Sequence, residues 1–242
     1  MEKIWRLIVD GALDPYLNMA IDEAIMLRQA HAGSQPTLRI YRWLYPCVSV
    51  GRFQKPLTLT LSPKGRGEGE GDNNLPVVKR PTGGGAVIHN EFSFTYSVIY
   101  REDSGIIPRG VSNSYREIHA GVLEGLKGLG IEANFYLNEK KNPKSPVGGG
   151  CFISPVEFDV MCGGRKIAGA AQRRKFGVVL HQGEVSLGLD VWSKWSYNNF
   201  LIAFTSGLSR HLKAEFLKGQ ISDMEISLAE ELIAAHIEEV NR

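Results

Sequence analysis

Apolar positions along this chain change period several times, and each change marks an element. Leu17, Ala20, Ile21, Ala24 and Leu27 recur at helical spacing while Asp22, Glu23 and Arg28 fall off the stripe, which predicts an amphipathic helix. Asp14-Pro15 supplies its start, a carboxylate at the N-cap and a proline at the first helical position. Gly33-Ser34 ends it. Residues 37–43 (TLRIYRW) and 47–53 (CVSVGRF) are rich in strand formers and are parted by Tyr45-Pro46. LPVVKR and AVIH read as short strands on either side of PTGGG, and residues 91–100 (EFSFTYSVIY) form the clearest long strand. A second helix is expected over 112–129, with Ser112 or Asn113 near its cap, a stripe of Ile118, Val122 and Leu126, and Gly130 as its stop. Residues 131–136 read as a strand. Two more strands flank Gly163-Gly164 as a hairpin, and GVVLHQGEVSLG is another. Closing helices are expected over 192–204 and 227–240. Strands dominate the middle and helices flank them, so the fold class is α+β with a mixed or antiparallel sheet.

Residues 56–76 break the pattern. Gly, Glu, Pro and Asn dominate the second half of that stretch, which cannot bury a core. It reads as a mobile surface loop or a foreign insertion, and PLTLTLSPKGRGEGEG resembles the translation of dispersed bacterial repeat elements. Elsewhere 28 basic residues nearly balance 26 acidic ones, which gives no global electrostatic case for nucleic acid. The opening apolar run is broken by Arg6 and Asp10, unlike a secretory signal. No apolar run approaches the roughly 20 residues that span a bilayer, so no membrane role is expected. Cys47, Cys151 and Cys162 are odd in number and lack zinc-site spacing, which fits a reducing cytoplasm.

Three segments carry candidate chemistry. In Lys79-Arg80-Pro81-Thr82-Gly83-Gly84-Gly85-Ala86-Val87-Ile88-His89, three glycines strip one bend of side chains. Backbone N–H groups can then face an anion or a carbonyl. In GRKIAGAAQRR, Lys166 follows a hairpin turn and precedes the small residues 168–171. A lysine there could polarise a carbonyl or hold a phosphate, although a lone lysine is ordinarily a solvated hairpin residue. In GGGCF, Cys151 follows a glycine run, where a bulky acyl donor can reach a thiol. Cys47 and Cys162 lie in strand-like segments and read as structural.

KRPTGGGAVIH resembles the RRxTGGGxVxH signature of the lipoate–protein ligase and octanoyltransferase family, and GGRKIAGAAQRR resembles its lysine-bearing GRKIxGSAQ segment. DPYLNMAIDEAI and LHQGEVSL also match the family pattern, and the similarity covers roughly residues 3–190 apart from the insertion. The resemblance implies the biotin/lipoate protein ligase catalytic-domain fold, in one domain over 1–242 with no C-terminal accessory domain. It implies an apolar acyl tunnel beside the glycine strand, with Lys166 at the acyl carbonyl or the adenylate phosphate. Arg80, Thr82, Gly83, Gly84, Gly85, His89, Gly169 and Ala170 are the binding residues it suggests. Val77, Val87, Ile88 and Phe94 are candidates for the tunnel wall.

Two branches of the family compete. Lipoate ligases use ATP and Mg2+ to form lipoyl-AMP. Octanoyltransferases of the LipM type take octanoate from acyl carrier protein onto a cysteine, need no cofactor, and modify a lysine of lipoyl domains such as glycine cleavage H protein or the 2-oxo acid dehydrogenase E2 component. Their cysteine opens a C-F-x-x-P segment fifteen residues before the lysine, as Cys151-Phe152-Ile153-Ser154-Pro155 and Lys166 do here. That favours the transferase, with Cys151 and Lys166 as its catalytic pair. Lys79 replaces the usual Arg, Ala170 the usual Ser, and His181-Gln182-Gly183 varies the usual pattern, changes that bear more on adenylate handling than on acyl binding. The lysine loop 139–146 and Arg173-Arg174 are candidate docking points for acidic partners. An idle acyl- or lipoyl-domain binder and a biotin–protein ligase stand as alternatives.

Overall fold

The computed structural model describes residues 3–32, 35–54, 75–137, 155–188 and 193–241. Strand β1 (Lys3–Leu13) leads into helix α1 (Pro15–Ala32), followed by β2 (Thr37–Trp43) and β3 (Cys47–Val50). Then come β4 (Val77–Lys79), β5 (Val87–His89), β6 (Ser93–Arg101) and α2 (Val111–Gly128). The rest comprises β7 (Asn134–Phe135), β8 (Val160–Cys162), β9 (Arg165–Lys175), β10 (Val178–Ser186), α3 (Tyr197–Leu212), β11 (Ala214–Lys218) and α4 (Asp223–Asn241). Eight strands form a mixed sheet in the order β11-β1-β2-β6-β10-β9-β8-β7, and β4-β3-β5 form a second, small sheet. In the large sheet β1 runs parallel to both neighbours and each pairing from β2 across to β7 is antiparallel, whereas in the small sheet β3 pairs parallel with β4 and antiparallel with β5.

Period-two alternation in β6 divides the two layers. Phe94, Tyr96, Val98 and Tyr100 enter the core beneath α2 and α3, with Ile118, Val122, Leu126, Phe200, Phe204 and Leu208. Those two helices pack without side chains between them at one point: a Cβ on Gly207 would lie 2.2 Å from the amide nitrogen of Gly125. Ile99, on the opposite face of β6, joins Ile21, Ala24 and Ile25 of α1 and Ala229 of α4.

Asp14 caps α1 as its sequence predicts, Oδ1 accepting from the amides of Tyr16 (2.8 Å) and Leu17 (3.3 Å). The cap of α2 differs from expectation. Gly110 occupies it with no side-chain cap, and Ser114 Oγ donates to the Gly110 carbonyl instead. Strands β1 and β11 were not anticipated, because their pairing is parallel and long-range and β1 carries Arg6 and Asp10 on partly exposed positions. The third helix begins at Tyr197, capped by Ser196, and runs on to Leu212, past the expected 204. The last helix starts four residues early, on a capping box. The Ser222 amide donates to Glu225 Oε2 (2.8 Å) and the Glu225 amide to Ser222 Oγ (3.3 Å). Glu225 also binds both terminal nitrogens of Arg6, at 2.8 and 2.7 Å, tying α4 to β1. The expected insertion, except for Leu75 and Pro76, and the segments 139–146 and 148–152 lie outside the described residues. No described helix is long and apolar enough to cross a membrane.

Candidate active site

A cavity with about 440 Å³ of empty space, mouth included, lies between the α1 face of the large sheet and the small sheet. Register builds its floor. Tyr41 pairs with Thr95, Thr95 with Glu184, and Glu184 with Gly169, so one row crosses β2, β6, β10 and β9. All four residues line the cavity.

Lys166 reaches this floor through a bulge. Met161 pairs with Lys166, but the preceding Val160 pairs with Ala168, so β9 carries one extra residue. The extra residue shifts the alternation, and Lys166 shares a face with Gly169. The lysine chain lies over that glycine: a Cβ there would stand 2.4 Å from Lys166 Cε and 2.5 Å from Nζ. Lys166 is 5% exposed and its Nζ lies 2.7 Å from Asp159 Oδ2. Asp159 is fully buried, and it also accepts from Tyr115 Oη (2.6 Å) and the Val156 amide (2.7 Å). Burial, reinforced by Asp159, pushes the Tyr115 phenol well up, so it acts there as a donor. The result is a buried ammonium held on a carboxylate whose own position is fixed from two further sides.

The small sheet supplies the opposite wall. Arg80 leaves β4 and is 7% exposed. Its Nη1 donates to the carbonyl and hydroxyl of Ser49, both at 2.7 Å, and its Nη2 to the carbonyls of Gly83 (3.1 Å) and Gly85 (2.7 Å). The glycine bend therefore turns carbonyls, rather than N–H groups, toward this cation. Gly84 has a φ of +92°, a backbone shape that glycine adopts without strain. Its carbonyl oxygen would lie 2.0 Å from any Cβ at Gly51, which must therefore also be glycine. Ser49 Oγ lies 2.5 Å from His89 Nε2, and His89 Nδ1 bonds Glu184. The His89 ring stacks on Trp43 with centroids 4.0 Å apart.

A third cluster supports the floor from α1. The buried Asp22 carboxylate accepts from Arg39 (2.8 Å), Tyr41 Oη (3.1 Å), Gln182 Nε2 (2.7 Å) and Ser97 Oγ. Gln182 in turn accepts from Thr82 Oγ1 at 2.8 Å, which links this cluster to the glycine bend.

Of the residues singled out in the sequence, Arg80, His89, Lys166, Gly169 and Ala170 converge on this one cavity. Thr82, Gly83, Gly84 and Gly85 do not line it; Gly83 and Gly85 hold Arg80 and Thr82 holds Gln182 from behind. Cys151 lies outside the described residues. Among the four expected wall residues, Val87 alone lines the cavity. Ile88 points outward at 52% exposure, Phe94 faces the opposite core, and Val77 packs beside Val48 and Val50. Strand alternation explains the first two. Cys47 is fully buried, and burial pushes its thiol well up, which suits a structural residue. Cys162 is half-buried against the core beneath α2. Arg173 and Arg174 are engaged with Glu23 and Glu102, so they form no free basic patch. Among the described residues no group of His, Cys, Asp and Glu could hold a metal ion.

Met19, Trp43, Ser49, Tyr115, Asp159 and Gly51 were not anticipated. Glu184 sits in the LHQGEVSL segment, whose family resemblance was its available signal. For Asp159 the signal was a carboxylate set among strand formers in FDVM.

A buried lysine and a buried arginine face one cavity behind a side-chain-free bend, which makes this cavity the candidate active site. The chain belongs to the lipoyl protein ligase A/B catalytic domain family, whose model matches residues 14–233. It is 39% identical over 186 residues to octanoyltransferase LipM of Moorella thermoacetica, covering 77% of this chain and 66% of that protein. It is 32% identical over 266 residues to octanoyltransferase LipM of Brevibacillus brevis, covering 95% and 94%. The fold matches a putative lipoate protein ligase from T. acidophilum with bound lipoic acid, with TM-score 0.72 and 26% identity over 97% of this chain and 96% of that one. It also matches a lipoate-protein ligase A bound with ATP, with TM-score 0.73 and 25% identity over 97% and 95%.

Proposed function

We propose that this chain is an octanoyltransferase of protein lipoylation, a single catalytic domain acting in the cytoplasm. It moves an octanoyl group from acyl carrier protein, through a thioester on Cys151, to a lysine of a lipoyl-domain protein such as glycine cleavage H protein or a 2-oxo acid dehydrogenase E2 component. The observation that carries the reading is the Lys166 ammonium, buried in the wall of the cavity and fixed on Asp159.

The Cys151 thiolate attacks the thioester carbonyl. The new C–S bond forms as the carbonyl oxygen takes up negative charge beside Lys166, a placed cation in a water-poor slot. Collapse breaks the bond to pantetheine, which leaves as a thiol with the proton given up by Cys151. The neutral amine of the acceptor lysine then attacks the acyl-enzyme. An amide forms, and Cys151 regains a proton from the amine as its thiol. Nothing in this sequence consumes ATP or requires a cofactor. Chain geometry is compatible with the roles. The Val156 amide is bonded to the same Asp159 oxygen as Lys166, and position 151 is five chain steps away, a reach of at most about 18 Å. In this reading Arg80 and His89 shape the wall with Thr82, Gly83, Gly84 and Gly85 behind it, Gly169 leaves room for the Lys166 side chain, and Ala170 keeps the adjoining wall small.

The curated relatives named as octanoyltransferases favour this reading over an ATP- and Mg2+-dependent ligase. Intact mass after incubation with octanoyl-carrier protein and no ATP tests it. The expected result is one octanoyl adduct, absent in Cys151→Ser and retained in Cys47→Ser. Lipoylation of an acceptor domain that requires ATP, with no adduct formed, refutes it.

A further inference from the structure

The DPYLNMAIDEAI stretch contributes Met19, whose side chain enters the cavity wall from α1. The floor row runs from Gly169, beneath the Lys166 ammonium, across β10 and β6 to Tyr41 on β2. Three strand spacings of about 4.8 Å make that path roughly 14 Å long. With its carbonyl at Lys166, an octanoyl chain advances about 9 Å over seven C–C bonds of about 1.5 Å. Its methyl end therefore stops short of the β2 backbone, among the side chains of Met19, Tyr41 and Trp43, which form one buried cluster. A twelve-carbon chain, at about 14 Å, meets β2 itself.

These three residues are not equally free to yield. Trp43 Nε1 donates to Thr95 Oγ1 at 2.8 Å while its ring stacks on His89. Tyr41 donates to Asp22 at 3.1 Å and lies beneath the Arg39 guanidinium, 4.2 Å from its ring centre. Met19 is held by packing and by one soft contact, Gln182 Nε2 to Sδ at 3.7 Å. It is 1% exposed, unbranched and readily repacked.

We infer that Met19 is the residue that sets acyl chain length, closing the cavity at the end opposite Lys166. The inference rests on the proposed acyl-transfer reading for the direction in which the chain lies. Shortening the side chain lengthens the slot without touching the residues that hold Lys166 or Arg80. Filling it shortens the slot.

The test compares full-length wild type, Met19→Ala, Met19→Leu and Met19→Phe with hexanoyl-, octanoyl-, decanoyl- and dodecanoyl-carrier protein. Met19→Ala should raise the decanoyl-to-octanoyl ratio of kcat/KM at least about tenfold, the usual size of discrimination against one methylene or more in an apolar pocket. Met19→Phe should shift preference toward hexanoyl by a similar factor, and Met19→Leu should keep the wild-type order. Calorimetric binding of the free fatty acids provides a readout independent of turnover and should show the same shifts. If wild type transfers no acyl group yet the fatty-acid profile shifts, the transfer reading fails and the role of Met19 stands. Unchanged chain-length order in Met19→Ala and Met19→Phe overturns the inference. If Met19→Ala does not fold, Met19→Phe measured against Met19→Leu decides it.

Discussion

Gly169→Ala separates the chemistry of this site from its stability. The backbone at Gly169 lies in an extended strand, outside the left-handed region, so it accepts a Cβ without strain. Alanine there also lowers the entropy of the unfolded chain, worth about 0.4–1 kcal/mol in favour of folding. The new methyl would stand 2.4 Å from Lys166 Cε, 2.5 Å from Nζ and 3.1 Å from Asp159 Oδ1. The closest atoms are the far end of a flexible side chain, and they must retreat by about 1 Å to restore ordinary contact. That retreat is small in energy, so unfolding free energy should change by no more than about 1 kcal/mol. A misplacement of about 1 Å in a group that meets the reacting carbonyl costs about 100-fold in rate. Single-turnover octanoyl transfer and urea denaturation on the same preparations read both quantities. Gly51→Ala is the contrasting control. Its Cβ would meet the Gly84 carbonyl oxygen at 2.0 Å, backbone against backbone, with an expected loss of about 3 kcal/mol. Wild-type transfer rates in Gly169→Ala would refute the placement of Lys166 over that glycine. So would a loss of activity matched by a loss of stability as large as that of Gly51→Ala.

Asp159→Asn keeps a side chain of the same shape and removes the charge opposite Lys166. Breaking a buried pair of this kind costs about 3–5 kcal/mol, and adding Lys166→Met should recover part of it, which a double-mutant cycle in urea measures. Acid should destabilise the protein through His119, whose pKa burial lowers from 6.5 to about 4 and whose Nδ1 lies 2.7 Å from the Phe158 carbonyl. Between those values the unfolded chain binds more protons than the folded one, so stability falls as pH drops from about 6.5 toward 4. The loss is on the order of 2 kcal/mol by pH 5. His181, held well below its usual range by burial and by His119, adds a loss of the same sign. Urea midpoints at pH 7 and pH 5 for wild type and His119→Gln should show a weaker pH dependence in the variant.

What the sequence disclosed and what it withheld follow from the range of the interactions. The first turn of α1, the alternation of β6 and the stripe of α2 are set by neighbours a few residues away, and they could be read directly. The Ser222–Glu225 capping box was equally local, yet the expected helix began past it because the apolar stripe was followed instead. Strands β1 and β11 gain their identity from each other across some 200 residues, Lys3 pairing with Ala214. No local pattern encodes that. At the site, the KRPTGGGAVIH and GRKIAGAAQ segments announced Arg80, His89 and Lys166. Tyr115 and Ser49 were silent, since they matter only for the atoms they meet in space, and Asp159 offered only the faint mark of a carboxylate among strand formers. The bulge at Ile167 decides the face on which Lys166 lies, and it is set by pairing with β8 rather than by any residue type.

The position of the 55–74 stretch in the chain explains how a connection of such length is compatible with the fold. It joins β3 to β4, which pair in parallel through Val48–Val77, Ser49–Val78 and Val50–Lys79. The ladder continues past the strands: the Arg80 amide donates to the Val50 carbonyl and the Arg52 amide to the Thr82 carbonyl, both at 2.8 Å. Arg80 and the glycine bend are therefore registered by bonds that lie wholly outside the joining segment. Each doubling of the length of a connection adds only about 0.6 kcal/mol to closure, less than one of these buried hydrogen bonds is worth when lost. The cost of added length falls on the joining of the two strands and leaves the atoms that face the cavity where the ladder puts them.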